Sequence, residues 1–305
     1  MMNKDVLLHH PAATGGEKEG VPIFTVEHLR YHYPQAKGYA VDGITFTIGE
    51  GEIFGFLGPS GAGKSTSQKI LIKLLQDYEG RIAYRGKDLK RFGNEFYEEI
   101  GVGFEMPIFF SKLTALENLS FFQKLYRQTV DVEPLMRQLG LWPDKDKKVG
   151  EYSKGMKMRL NFVRALLNAP RMLFLDEPTG GLDPVNSRIL KDMILSFRAR
   201  GGTVFLTSHI MSDVDELCDW VAFIAQGKLT EMDSPRNLKL RYGKRTVTVE
   251  YKAEGETRAE VFPMEAIKTP AFHHLLDSKE IETIRSGETT LEDIFIQVVG
   301  VQLHE

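Results

Sequence analysis

Cysteine is nearly absent from this chain. Cys218 is the only one in 305 residues, which excludes an internal disulfide framework and suits a reducing compartment. Long apolar runs are missing as well. No segment reaches the roughly 20 consecutive apolar residues that cross a bilayer as a helix. The N-terminus lacks the basic-then-apolar pattern of a secretory signal. Any membrane role is therefore expected to come through another polypeptide. There is no basic surplus either: the net charge is −3 and the pI is near 6.3, so a nucleic-acid partner is not expected. What is present is ordinary globular composition, 42% hydrophobic and 27% charged. The length suits one large domain and one small one.

Residues 1–20 are polar, contain Gly15, Gly16 and Gly20, and are expected to be a disordered tail. His9 and His10 within it read as solvated. From Ile23 to Ile48, alternation in Phe24-Thr25-Val26-Glu27 and Ile44-Thr45-Phe46-Thr47-Ile48 predicts antiparallel strands. Gly80 to Lys87 reads as a strand and turn. Residues of about 111–168 read as mainly helical, with Leu116, Leu119, Phe122 and Leu125 at helical spacing. Short apolar strands are predicted at Arg171–Asp176, Gly202–Thr207 and Trp220–Ile224, with a helix over Val185–Ala199. Cys218 falls in a predicted helix and reads as a small core residue. Strands alternating with helices imply a mostly parallel sheet covered on both faces. Beyond about residue 241, Thr246–Tyr251 alternates as an exposed strand and Thr257–Phe262 pairs back on it across a turn. Thr289 and Glu292 form a capping-box pattern ahead of an apolar stripe of Leu291, Ile294, Phe295, Val298 and Val299.

The most specific motif is Gly58-Pro59-Ser60-Gly61-Ala62-Gly63-Lys64-Ser65-Thr66, which fits the phosphate-loop pattern G-x-x-x-x-G-K-[ST]. Its flanks are right for that role. Ile53–Leu57 reads as a buried strand before it, and Ser67–Leu75 as a helix after it, with Ile70, Leu71, Leu74 and Leu75 on one face. Glycines let the backbone curl so that several N–H groups hold phosphate oxygens, and the helix N-terminus adds partial positive charge. Lys64 can reach β- and γ-phosphates, and Ser65 can offer its hydroxyl to Mg²⁺.

Four further elements follow in a fixed order. Tyr152-Ser153-Lys154-Gly155-Met156 comes first. Leu173-Phe174-Leu175-Asp176-Glu177-Pro178 delivers two acids at a strand end. Gly181-Leu182-Asp183-Pro184 and then Ser208-His209 complete the set. Together they resemble the ATPase subunit of ATP-binding-cassette (ABC) transporters over roughly residues 23–239. The resemblance implies an α/β fold: a P-loop NTPase core with an antiparallel β subdomain and a helical subdomain (about 106–168), spanning 21–240. A small C-terminal α/β module would occupy 241–305. It implies ATP and Mg²⁺, with Ser65 and Asp176 at the metal, Glu177 as general base, and His209 near the γ-phosphate. Tyr33 matches the aromatic that stacks on adenine, with Tyr31 a competing candidate. Ser153 and Gly155 match the loop that meets ATP on a second subunit in a head-to-tail dimer, and Asp183 would sit at that seam.

Three positions depart from the family pattern. Glu105 stands where the family has Gln, near the metal and γ-phosphate. Glu accepts from metal-bound water but lacks the amide donor, which implies altered metal or pH dependence rather than inactivity. Lys154 replaces a Gly and either adds charge near ATP or points to solvent. Met156 replaces a Gln. Met106-Pro107-Ile108-Phe109-Phe110 follows Glu105 where family members dock a separate membrane permease. Ser286 to Phe295, Phe104-Glu105 and the Tyr152–Met156 stretch are similar to ABC-2-type drug and antibiotic exporters, fluoroquinolone exporters nearest. That places the subunit in the cytoplasm, peripheral on the inner membrane face. A non-transport ABC-type ATPase or an assembly scaffold is the alternative. One cassette, no long coiled-coil insertion and no basic stripe weigh against it.

Overall fold

The computed structural model describes residues 22–34, 36–253 and 256–302. The expected disordered tail at 1–20, with His9 and His10, lies outside them, as do Glu254 and Gly255 of the predicted turn. The chain forms two compact units, divided between Ser234 and Pro235.

The first unit opens with β1 (Phe24–Tyr31), β2 (Val41–Ile48), β3 (Ile53–Leu57) and α1 (Lys64–Leu71). Next come β4 (Glu79–Tyr84), β5 (Lys87–Asp88), α2 (Glu95–Glu99) and β6 (Ile100–Gly103). A helical stretch follows, with α3 (Ala115–Gln123), α4 (Val132–Gln138) and α5 (Lys154–Ala165). The unit ends with β7 (Met172–Asp176), α6 (Pro184–Ala199), β8 (Thr203–Ser208), α7 (Met211–Leu217), β9 (Trp220–Ala225) and β10 (Lys228–Asp233). One sheet is antiparallel, in the order β2-β1-β4-β5. The other runs β10-β9-β3-β8-β7-β6 and is parallel except for its edge strand β10.

An aromatic core joins the two sheets. Phe46 of β2 stacks on Phe54 of β3 at 5.4 Å between ring centres, and Phe54 stacks on Phe205 of β8 at 6.2 Å. Phe174 of β7 meets Phe205 at 5.7 Å and Phe24 of β1 at 5.8 Å. Each ring is fully buried, and burying one contributes about 1.5–3 kcal/mol. The core therefore grips β3, the strand that delivers the phosphate-loop motif. Cys218 lies beside Gly55 of that strand: a Cβ on Gly55 would come within 2.7 Å of its Sγ. Cys218 caps α7 from just beyond its last turn, and burial pushes its thiol well up.

The helix after the loop differs from the prediction. It runs Lys64–Leu71, not Ser67–Leu75, and Leu74 is 56% exposed. Lys73 takes a left-handed φ of 60°. Its N–H bonds to Ile70 O and the Leu74 N–H to Lys69 O, the paired closure that ends a helix.

The second unit contains α8 (Pro235–Tyr242), β11 (Arg245–Ala253), β12 (Glu256–Pro263), α9 (Pro270–Ser278), β13 (Glu280–Glu288) and α10 (Leu291–Gln302). It begins six residues before the 240/241 boundary expected from sequence, because α8 packs against α10. β11 is not an exposed strand but the centre of a β12-β11-β13 sheet, with Val247, Val249 and Tyr251 buried against Phe272 of α9. The capping box lies one residue later than predicted. Thr290 Oγ1 accepts from Asp293 N while Asp293 Oδ2 accepts from Thr290 N. Thr289 instead bonds both backbone groups of Lys244. Among the described residues, no helix is long and apolar enough to cross a membrane.

Candidate functional site

β3 lies between β8 and β9, both parallel to it, and its C-terminal end opens into the loop Gly58–Thr66. Two glycines there have no substitute. A Cβ on Gly58 would stand 2.3 Å from Ile224 O, and one on Gly63 2.4 Å from Ala40 O. Gly63 also holds φ at 110°, where side chains rarely go. Pro59, Ser60 and Gly61 are exposed at the loop tip and Ala62 is buried beneath it. Gly63 is the N-cap of α1 and supplies no side-chain acceptor. The first N–H groups of the helix thus face the loop without a side-chain cap, which suits an anion. Lys64 is buried, and its ammonium donates to Gly58 O at 2.7 Å and Pro59 O at 3.2 Å.

The two acids arrive on β7. Parallel register sets Asp176 opposite Thr207 of β8. Asp176 Oδ1 accepts from the Thr207 hydroxyl and from Ser65 Oγ at 3.4 Å. Glu177 leaves the strand with a left-handed φ of 49°, and its N–H bonds to Thr207 O at 3.0 Å. A non-glycine residue held there stores strain of about 1–3 kcal/mol and persists only where surrounding structure enforces it. The Glu177 carboxylate, 10% exposed, accepts from His209 N at 3.2 Å and lies 2.8 Å from His209 Nδ1. The acids therefore serve different partners: Asp176 faces the two hydroxyls and Glu177 faces the imidazole. Ser65 and Asp176 offer oxygen only, the donor set for a hard cation whose remaining positions come from phosphate and water. No group of three or more His, Cys, Asp or Glu able to hold a metal occurs among the described residues.

Other predicted residues are more scattered. Tyr33 is 38% exposed, and its hydroxyl lies 3.2 Å from Thr66 Oγ1 at the loop end. Tyr31 is 7% exposed and meets the Tyr33 ring edge-on at 5.1 Å. Tyr33 is thus the ring that presents a surface. Glu105 is exposed just beyond β6. Ser153 caps α5, accepting from Met156 N at 3.2 Å. The helix therefore starts at Lys154 and takes in Gly155. Lys154 lies along Gly181: its Nζ is 3.1 Å from where a Gly181 Cβ would stand. Asp183 caps α6 through Val185 N and Asn186 N, both at 3.1 Å, and these bonds with the Asn186 side chain hold its carboxyl below the usual range. No hydrogen bond or ion pair joins Ser153, Gly155 or Asp183 to the Lys64–Asp176–Glu177 group. Thr207 was not anticipated. Its role depends on strand register, which only the neighbouring strand sets.

Comparison with known proteins decides the family. The ABC transporter profile matches residues 41–180, and the fluoroquinolones export ATP-binding protein of Mycobacterium tuberculosis is 49% identical over 296 residues, 95% of this chain and 98% of that one. The chain belongs to the ATP-binding subunits of ABC transporters. The C-terminal-domain profile of the fluoroquinolone efflux ABC transporters also matches, over residues 245–288. The bacitracin transport ATP-binding protein BcrA of Bacillus licheniformis is 36% identical, covering 86% of this chain and 92% of its own. The solved structure of an ATP-binding subunit of an ABC transporter superposes with a TM-score of 0.67 at 25% identity, over 72% of this chain and 93% of that one. This subunit is an ATPase of the family.

Proposed function

We propose that this ATPase powers a separate membrane permease that exports a drug, an antibiotic or a similar small amphipathic molecule, from the inner face of the membrane. The observation that carries the export reading is the residue 245–288 match to the C-terminal domain of fluoroquinolone efflux ABC transporters, joined to the end-to-end similarity to a fluoroquinolones export ATP-binding protein. In this reading the chain comprises a nucleotide-binding domain with a helical region of about 106–168, followed by a C-terminal accessory module. Lys64 and the uncapped N–H groups of α1 bind the phosphates of ATP, and Tyr33 stacks on the base. Ser65 and Asp176 would hold Mg²⁺, which supplies charge neutralisation at the phosphates when bound. Glu177 takes the proton of the attacking water, and His209, 2.8 Å from its carboxylate, orients it. Ser153, Gly155 and Asp183 serve the ATP of a second subunit in a head-to-tail dimer. The exposure of Ser153 and Asp183 supports that.

Co-purification tests the reading. A bound protein with several apolar segments of roughly 20 residues supports transport. Recovery of ribosomes or nucleic acid alone defeats it. Met106 and Ile108 are 76% and 83% exposed, whereas Phe109 is pinned under Arg164 at 5.0 Å. Ile108→Asp is therefore expected to weaken permease capture about tenfold or more while ATP binding by the purified chain is retained. Undiminished capture removes this surface from the permease contact. Glu105→Gln is expected to restore an amide donor and remove one negative charge. The Mg²⁺ concentration for half-maximal ATPase should shift about two- to fivefold. An unchanged Mg²⁺ titration means that Glu105 stays away from the metal throughout turnover.

A further inference from the structure

The backbone between β6 and α3 belongs to no helix or sheet, apart from one isolated bridge at Thr114. Its polar groups therefore need other partners. Side chains from two helices provide them. Asn161 of α5, 3% exposed, donates from Nδ2 to Phe104 O at 2.7 Å. Arg164, one turn further on, donates to Ile108 O at 3.0 Å and to Asn161 Oδ1 at 2.7 Å. Its guanidinium lies over the Phe109 ring at 5.0 Å and the Phe122 ring at 5.1 Å. Asn118 of α3, fully buried, accepts from Phe110 N at 2.9 Å and donates to Phe110 O at 3.1 Å and Thr114 O at 2.8 Å. The segment is tied at positions 104, 108 and 110. Glu105, Met106 and Pro107 lie between the first two ties.

Arg164 has no carboxylate partner among the described residues. Carbonyl dipoles and aromatic faces hold its charge instead, and burial keeps the guanidinium below its ordinary range. Pulling the loop away would remove the Ile108 carbonyl and the Phe109 ring together, leaving Asn161 Oδ1 and Phe122. The cation is thus fully partnered only while the loop stays seated on α5, and unseating the loop costs it one hydrogen bond and one aromatic face. That helix is continuous for 12 residues from the Ser153 cap to Ala165, so displacement of the loop reaches Ser153 and Gly155 along an unbroken rod.

We propose that Asn161 and Arg164 are positioning residues that bind the Glu105 loop to α5, so that the loop and the Ser153–Gly155 end of the helix move as one body. This rests on the proposed roles of the loop at the permease and of Ser153 and Gly155 at the second subunit's ATP. The two are then coupled within one chain, independently of the nucleotide loop.

Two measurements test it. In the isolated full-length chain, Asn161→Ala should speed amide exchange about tenfold over residues 104–110 and also over 153–157, while β7 and β8 amides are unchanged. In the complex with its co-purified permease, Asn161→Ala and Arg164→Lys should reduce the permease-stimulated to basal ATPase ratio about 3- to 30-fold. Basal kcat and KM of the isolated chain should stay within about twofold. Lysine keeps the charge but cannot make the two-pronged contact, so loss in both variants separates positioning from charge alone. Unchanged exchange at 153–157, or full stimulation with the permease still bound, overturns the clamp. If the wild-type chain captures no permease, the transport reading fails, and the exchange result still decides the clamp.

Discussion

Glu177→Gln leaves ATP binding intact and lowers steady-state hydrolysis about 10²- to 10⁴-fold, the range set by loss of a positioned general base. The substitution is nearly isosteric, so the left-handed backbone at 49° and the bond from Glu177 N to Thr207 O are preserved. The amide can still accept from His209 N, 3.2 Å from the carboxylate it replaces. What disappears is a group that can take a proton. A sandwich of two chains with two ATP molecules should then persist, because the step that separates it is blocked. Nucleotide affinity by equilibrium binding, turnover by phosphate release and mass by light scattering give the three readouts together. Turnover within tenfold of wild type would remove Glu177 from the base role and shift attention to His209. Loss of ATP binding would mean the acid is structural.

Gly63→Ala is expected to weaken ATP binding about tenfold or more and to lower Tm by several degrees. The added methyl would stand 2.4 Å from Ala40 O, a backbone atom that cannot swing aside, at a φ of 110°. Left-handed strain alone costs about 1–3 kcal/mol, and 1.4 kcal/mol is a tenfold change in affinity. About 1 kcal/mol shifts Tm by roughly 2–4 °C in a chain of this size. Gly61→Ala is the control. Gly61 also has a positive φ, 80°, but nothing lies within 4 Å of its Cβ position. It should show strain without the clash, and so a smaller loss. Calorimetry and nucleotide titration of both variants separate the two contributions. Equal losses would mean the Ala40 contact does not shape the loop.

Much of this was legible from residue order because the signals were local. β3, β7, β8 and β9 are each a short apolar run with a sharp polar end, and a buried parallel strand needs nothing more. Asp176 and Glu177 could be placed because they end such a strand. The illegible parts depend on partners distant in sequence. Thr207 meets Asp176 through strand register. β13, with Glu280, Glu282, Arg285 and Glu288, carries little apolar alternation, and its pairing with β11 slips between Glu250 and Tyr251. Its place comes from side-chain ladders such as the Glu250–Arg285 ion pair at 2.6 Å, not from an apolar stripe. The capping residue was misplaced by one because Thr289 and Thr290 both fit the pattern, and only the competing bond from Lys244 N to Thr289 distinguishes them. Asn161 gave no signal: a single amide in a helix acquires its role only when an irregular loop folds across it.

The thiol packed beside Gly55 carries a practical corollary. Cys218 is the chain's sole cysteine, buried and held in its unreactive protonated form. The native polypeptide is therefore already silent toward maleimides and thiol cross-linkers. A cysteine added at the exposed Ser153 or Asp183 would be the one that reacts, and a dye or cross-linker there could follow the approach of two chains without first stripping a native residue from the core.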